Sequence, residues 1–277
     1  MLKFTLGHDA EVFLQDNDGQ PIPSIGLIGG DKAYPRKVDG GALQEDNVMA
    51  ELNIDPANSC EEWINNTNKV KNKLEQVISK HQLKLSICPV AKFQPKFLKS
   101  KQARLFGCDP DQNIYTGQEN IVNSEVLIEQ NLRTAGGHIH IGLQNPDEHP
   151  NIKRVLVQAC DVFIGLPLAT LEVGIRKDFY GRAGSFRSKS YGIEYRTPSN
   201  IWLKNDEFMA WVYGQACDVV SCVSDLLVHR TPTHQRIIDS MGELHLRDII
   251  DSAQADEASY QCNEQGIRCP EPSWLEE

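Results

Sequence analysis

Apolar and polar residues alternate with period two in several separate stretches of the chain and recur at helical spacing in three others, and these two periods predict its elements. Residues 4–14 alternate and close on Asp16-Asn17-Asp18-Gly19, which predicts a strand, followed by a glycine-rich stretch over 24–30. Residues 38–44 and 48–54 predict a hairpin around Glu45-Asp46-Asn47. Further strands are predicted over 83–90, over 132–143 with Gly136-Gly137 inside it, and over 191–196. Ser59 with Glu62 three residues on is a helix cap, and Trp63, Val70, Leu74, Val77 and Ile78 continue at helical spacing towards His81. Residues 152–171 predict a helix broken at Pro167, and 206–228 a longer one with Phe208, Trp211, Val212, Val219, Val223 and Leu226 as its stripe. Residues 92–129 are polar and irregular. Strands first and helices afterwards imply an α+β fold, a mostly antiparallel sheet with helices packed on one face. No repeat or linker divides the chain. It is expected to form one domain over 1–250, with a polar tail over 251–277 that is surface-packed or partly disordered.

Within the strands a second pattern carries chemistry. Asp9 and Glu11, Glu51 and Asn53, His138 and His140, and Glu194 and Arg196 each stand two apart. Residues two apart share a strand face, so each pair projects to one side, with Val12, Leu52, Ile139 or Tyr195 on the other. A sheet with one wet face alternates in any case, but four pairs of ligating or charged groups are more than alternation requires. Carboxylates crowded together repel, and they stay ionised only when cations neutralise them. Carboxylates with imidazole favour Mg²⁺ or Mn²⁺. The pair His138 and His140 with Glu51 is also a possible zinc-hydrolase set. Residues 177–196 bring Arg182, Arg187, Lys189 and Arg196 around Gly181 and Gly184, a cationic loop suited to gripping a phosphoryl group.

The balance of charge narrows the partners. Lys and Arg number 28 against 38 Asp and Glu, a net charge of -10, which opposes bulk binding of nucleic acid. The first residues lack the apolar run of a secretory signal and no stretch is long enough to span a membrane, so a soluble, cytoplasmic protein is expected. The 8 cysteines include no C-x-x-C pair, so buried free thiols are expected in place of a zinc or disulfide framework. There is no P-loop and no G-x-G-x-x-G fingerprint, so neither nucleotide-binding mode is expected.

Four motifs carry a resemblance to a known family. They are Gly7-His8-Asp9-Ala10-Glu11; Asp39-Gly40-Gly41 leading to Glu51-Leu52-Asn53-Ile54-Asp55-Pro56; Gly136-Gly137-His138-Ile139-His140-Ile141-Gly142; and the run from Arg187 through Gly192-Ile193-Glu194-Tyr195-Arg196 to Asn200. In this order the chain resembles the COOH-NH2 ligase type 2 amidoligases of phage and bacterial genomes, within the glutamine synthetase-like fold. The resemblance implies an ATP-dependent ligase that joins a small-molecule or peptide carboxylate to an amine through an acyl phosphate, with Mg²⁺ or Mn²⁺ on the sheet. It implies Glu11, Glu51, Glu194 and His138 as metal ligands, with His140 an alternative to His138. Arg182, Arg187, Arg196 and His140 are implied at the nucleotide, and Arg187, Arg196 and Lys189 in catalysis. Asp9 or Glu45 is a candidate to take the amine's proton. The resemblance leaves an oligomer open. An inactive phage structural or binding protein that keeps the fold is the remaining alternative.

Overall fold

The computed structural model describes residues 2–104, 111–120, 124–146, 151–172, 174–228, 239 and 244–276. Among them one antiparallel sheet dominates. Its path runs β3 (Arg36–Val38), β4 (Gly41–Asp46), β5 (Met49–Ile54), β1 (Phe4–Gln15), β10 (Ile139–Leu143), β12 (Gly192–Tyr195), β11 (Ser185–Lys189), β8 (Gln112–Asn113), while β2 (Pro21–Ile22) and β6 (Lys84–Ser86) pair with the far end of β1. A small second sheet pairs β7 (Val90–Lys92) with β9 (Leu132–Thr134).

The register turns the period-two pattern into two faces. Leu6, Ala10, Val12, Leu43, Leu52, Ile139, Ile141, Ile193 and Tyr195 are buried together on one side. There α1 (Cys60–Ile78) packs on β4 and β5, while the helix Ile152–Cys160 packs on β11 and β12. The helix Asp206–Val228 lies against both helices and β1. The expected α+β class, with helices on one face of an antiparallel sheet, is what the structure has. Helix α1 begins at the predicted cap: the Ser59 hydroxyl accepts from the Glu62 N–H at 3.1 Å, and the Glu62 carboxylate in turn accepts from the Asn58 N–H at 2.7 Å. His8 faces this core, held by Thr67 at 2.9 Å and set edge-on to Trp63 and Trp202; burial lowers its pKa to about 3, so it is a neutral core histidine.

Four expectations are corrected. The stretch 38–44 is not one strand, because Gly40 and Gly41, both at positive φ, turn the chain between β3 and β4. The stretch 132–143 is split between two sheets, since side chains at Gly136 and Gly137 would collide with the His138 ring and the Ser199 carbonyl. Likewise 83–90 divides into β6 and the start of β7. Pro167 does not break its helix: the helical path continues through a π turn at Asp161–Gly165 into Leu166–Leu168, which contains Pro167. After Asp251 the chain forms the helix Ala255–Gln265, which buries Ala258 and Cys262, and Trp274 and Leu275 pack on the main core. The described cysteines are all free; Cys108 lies outside the described residues. No helix among the described residues is long and apolar enough to cross a membrane.

Candidate active site

Strand pairing brings the four sequence pairs to the other face. Glu11 stands opposite Glu51 and Asp9 opposite Asn53 across β1 and β5. His140 stands opposite Glu194 across β10 and β12, and Glu194 opposite Arg187 across β12 and β11. Directly opposed residues in an antiparallel pair share a face. Asp9, Glu11, Glu51, His140, Glu194 and Arg187 therefore form one polar surface over adjacent strands.

The surface resolves into two groups. Glu11, Asp46 and Glu51 have ligand atoms within 4.8 Å of one another, and so have Asp9, His140 and Glu194. Glu11 accepts the Gly136 N–H at 2.7 Å, and Glu51 accepts the side-chain amides of Gln44 at 2.8 Å and Asn53 at 3.0 Å. Burial, followed by the charge of Asp46, pushes the Glu11 carboxyl up to about 8. Burial together with Asp9, Asp46 and Glu11 raises Glu51 well above the carboxylate range. Without a cation this group holds protons.

The second group is compensated. Burial disfavours the charged form of Asp9, but His140 and then His138 outweigh it and hold the carboxyl well below its ordinary value. One Asp9 oxygen lies 3.0 Å from His138 Nδ1 and 3.1 Å from His140 Nε2. Glu194 is fully buried and meets three cations: Arg187 at 3.3 Å, Lys189 at 2.6 Å, and Arg196 in a short contact. Burial and Asp9 raise its pKa; Arg196 and the two histidines override them and bring it to about 2. His138 also meets Tyr180 through Nε2 at 3.1 Å, and His140 meets the Tyr191 hydroxyl at 2.9 Å with the two rings stacked.

The predicted residues are thus divided. Glu11 and Glu51 stand together, Glu194 stands with Asp9 and His140, and His138 lies beside Asp9 with its other nitrogen on Tyr180. His138, His140 and Glu51, the hydrolase set, do not form one group among the described residues. Arg187, Lys189 and Arg196 converge on Glu194. The expected cationic loop is in fact the hairpin β11–β12, where alternation places Arg187 and Lys189 on the Glu194 side. Arg182 stands apart, exposed near Asp251. Glu45 projects to the opposite face, where it accepts the Gly26 N–H at 2.9 Å and braces the glycine-rich loop.

Two sets of residues escaped the sequence pattern. Asp46, the last residue of β4, completes the Glu11 group. Behind the site, buried Glu172 pairs with Lys177 at 3.1 Å and Arg176 at 3.8 Å and accepts the Ser199 N–H at 2.5 Å. Arg176 donates to the carbonyls of Ala135, Thr197 and Pro198 at 2.9, 3.0 and 2.8 Å. This network fixes the two segments that lead into His138 and out of Arg196.

The raised carboxyls have a measurable consequence. A carboxyl whose folded pKa exceeds its unfolded value binds its proton more tightly when folded, so its stabilising contribution is complete below about 4.5 and is lost as pH climbs to about 8. His8 and His138, both lowered, add stability as pH rises, but only up to their unfolded value near 6.5. Between pH 6.5 and 8 the Glu11 and Glu51 contributions act without that opposition. The melting temperature of the metal-free protein should fall across this window, and Glu11→Gln should flatten the slope; a wild-type curve that is flat or rising there would contradict the raised carboxyls.

A mixed α/β fold whose antiparallel sheet gathers acids, imidazoles and guanidinium groups on one buried face presents a carboxylate-lined candidate site. Over residues 128–239, which include β10, β11 and β12, the chain matches the family described as Phage phiEco32-like COOH.NH2 ligase-type 2. The resemblance drawn from the motifs is thereby borne out. No curated protein matches the chain.

Proposed function

We propose that the protein is an ATP-dependent carboxylate–amine ligase that activates its acid as an acyl phosphate and uses Mg²⁺ or Mn²⁺ on the polar sheet face. One observation carries this reading: two groups of metal-competent side chains lie side by side on one sheet, flanked by three convergent cations. The donor chemistry fits hard divalent ions. One group is three carboxylates, two of them pushed to retain protons while no cation is near, and the other is two carboxylates with an imidazole. Glu11, Asp46 and Glu51 would hold one ion, and Asp9, His140 and Glu194 a second once phosphate oxygens draw Arg187, Lys189 and Arg196 off Glu194. When bound, such ions neutralise phosphate oxygens and make the γ-phosphoryl group transferable.

The chain's own residues do the rest. A carboxylate is a poor electrophile until one oxygen becomes a leaving group. Arg187, Lys189 and Arg196 supply donors at the edge of the face, placed to orient the transferring phosphoryl group and to stabilise its charge. Asp9 orients His138 and His140 through one oxygen; held at low pKa between two imidazoles, it is a poor acceptor for the amine's proton, a role the sequence had offered it. Cytoplasmic location and action on a small-molecule or peptide acid belong to the same proposal.

Titration calorimetry tests it. ATP should bind only when Mg²⁺ is present, and ADP should be released in the presence of the right pool of acids and amines; nucleotide binding indifferent to metal, or none, would refute the reading. Arg187→Ala should cut turnover by about a hundredfold while leaving most of the stability, because Lys189 and Arg196 still neutralise Glu194. Equal losses of activity and stability would make Arg187 a structural residue instead.

A further inference from the structure

The helix-covered side of the sheet carries a second charged feature, away from the carboxylate face. Strand β3 is the outer edge of the sheet path, and its other flank pairs with no strand among the described residues. Alongside it runs a groove of about 530 Å³ whose other wall is the stripe Lys69, Asn72, Lys73 and Gln76 of α1, at helical positions i, i+3, i+4 and i+7. Arg36 and Lys37 line the strand side. Four cations thus line the groove in a chain of net charge -10, with Arg36 donating to the Ile28 carbonyl at 2.7 Å and Lys37, opposite Ala42, set on the other strand face; the single acid there is Asp39, 81% exposed and 3.1 Å from Lys69. The side chains of Lys37 and Lys73 make no hydrogen bond or ion pair among the described residues.

We propose that this groove docks an extended acidic segment of a partner protein that adds to the edge of β3 and places carboxylates at alternate positions against Lys69 and Lys73. The spacing favours that occupant. Residues i and i+4 of a helix are about 6 Å apart along the axis, and alternate residues of a strand, which share a face, are about 6.7 Å apart. An edge strand presents outward N–H and C=O groups that an incoming strand can satisfy, so the backbone supplies affinity and the paired charges supply register. A compact phosphate would need donors converging on one point, whereas these cations are strung along two parallel elements. Asp39 occupies Lys69 weakly and is the natural group to be displaced.

Fluorescence anisotropy with a short capped peptide carrying glutamates at alternate positions tests the proposal on the full-length protein, without nucleotide or metal, so its outcome does not depend on the ligase reading. The labelled peptide should bind saturably and weaken with salt. Lys73→Glu should weaken it about tenfold or more, and Asp39→Asn should tighten it several-fold by removing the competing carboxylate. Both positions are solvent-accessible, and melting curves should stay at the wild-type value. An isomeric peptide with adjacent glutamates should bind clearly less well. Equal affinity for the two peptides, insensitivity to both substitutions, or displacement of the labelled peptide by equimolar pyrophosphate would overturn the proposal; the last would mark the groove as a phosphate site.

Discussion

Glu172→Ala is expected to cost on the order of 3–5 kcal/mol of folding stability, because it strands two buried cations. Arg176 and Lys177 are 3% and 4% exposed, and Glu172 is the carboxylate that contacts both. Burial raises the Glu172 pKa, but Lys177 and then Arg176 override it and leave the carboxyl below its ordinary value. A depressed carboxyl contributes stability that is present above its unfolded pKa and is lost as pH falls through the folded one. The wild-type protein should therefore lose this contribution only in acid, whereas the variant lacks it at every pH. The substitution also removes the acceptor of the Ser199 N–H and loosens the arginine that ties Ala135 to Thr197 and Pro198. Urea unfolding measures the loss. Adding Lys177→Met should recover part of it, since removing the stranded charge is cheaper than leaving it buried. A single-variant loss below about 1 kcal/mol would show that water reaches the cations and that the network is not the brace of the site.

The same network marks where the sequence could be read and where it could not. The Asp9, Glu51, His140 and Glu194 strands were legible because alternation is a local property, and each strand declares its own two faces. Their arrival on one sheet did not follow from alternation, which says what one face would hold only if the strands share a sheet; the pairing supplies that condition. Asp46 continues the alternation of Gln44 past the end of the expected strand, so the signal was present, but Glu45-Asp46-Asn47 reads first as a turn. Hairpin β11–β12 was hidden differently. Arg187 and Lys189 look like exposed loop cations until the partner that draws them inward, Glu194, is opposite them. The position of Glu172 four residues before Arg176 hints at a helix-surface pair, yet nothing local says that both are buried, because that depends on carbonyls at 135, 197 and 198. The division of the carboxylates into an uncompensated group and one saturated by Arg187, Lys189 and Arg196 is likewise tertiary; it arises from which strand lies beside which.

That division gives the second large effect. Glu51→Gln should abolish metal-dependent nucleotide binding, weakening it by at least about a hundredfold, and yet should raise the stability of the metal-free protein by about 1–2 kcal/mol at pH 8. The new amide keeps an oxygen to accept from Gln44 and Asn53, which Glu51 now accepts at 2.8 and 3.0 Å, so the local hydrogen bonds survive. It also removes one of three crowded carboxylates, the one that burial, Asp9, Asp46 and Glu11 push well above the ordinary range. The two effects have opposite signs, which separates a ligand from a structural residue: a structural carboxylate would lose stability and binding together. Calorimetry with ATP and Mg²⁺ gives the first measurement and thermal unfolding in a metal chelator the second. Undiminished nucleotide affinity would remove Glu51 from the site. Lowered stability at pH 8 would mean that its neighbours neutralise it without any metal, and the case for a cation at Glu11, Asp46 and Glu51 would fail with it.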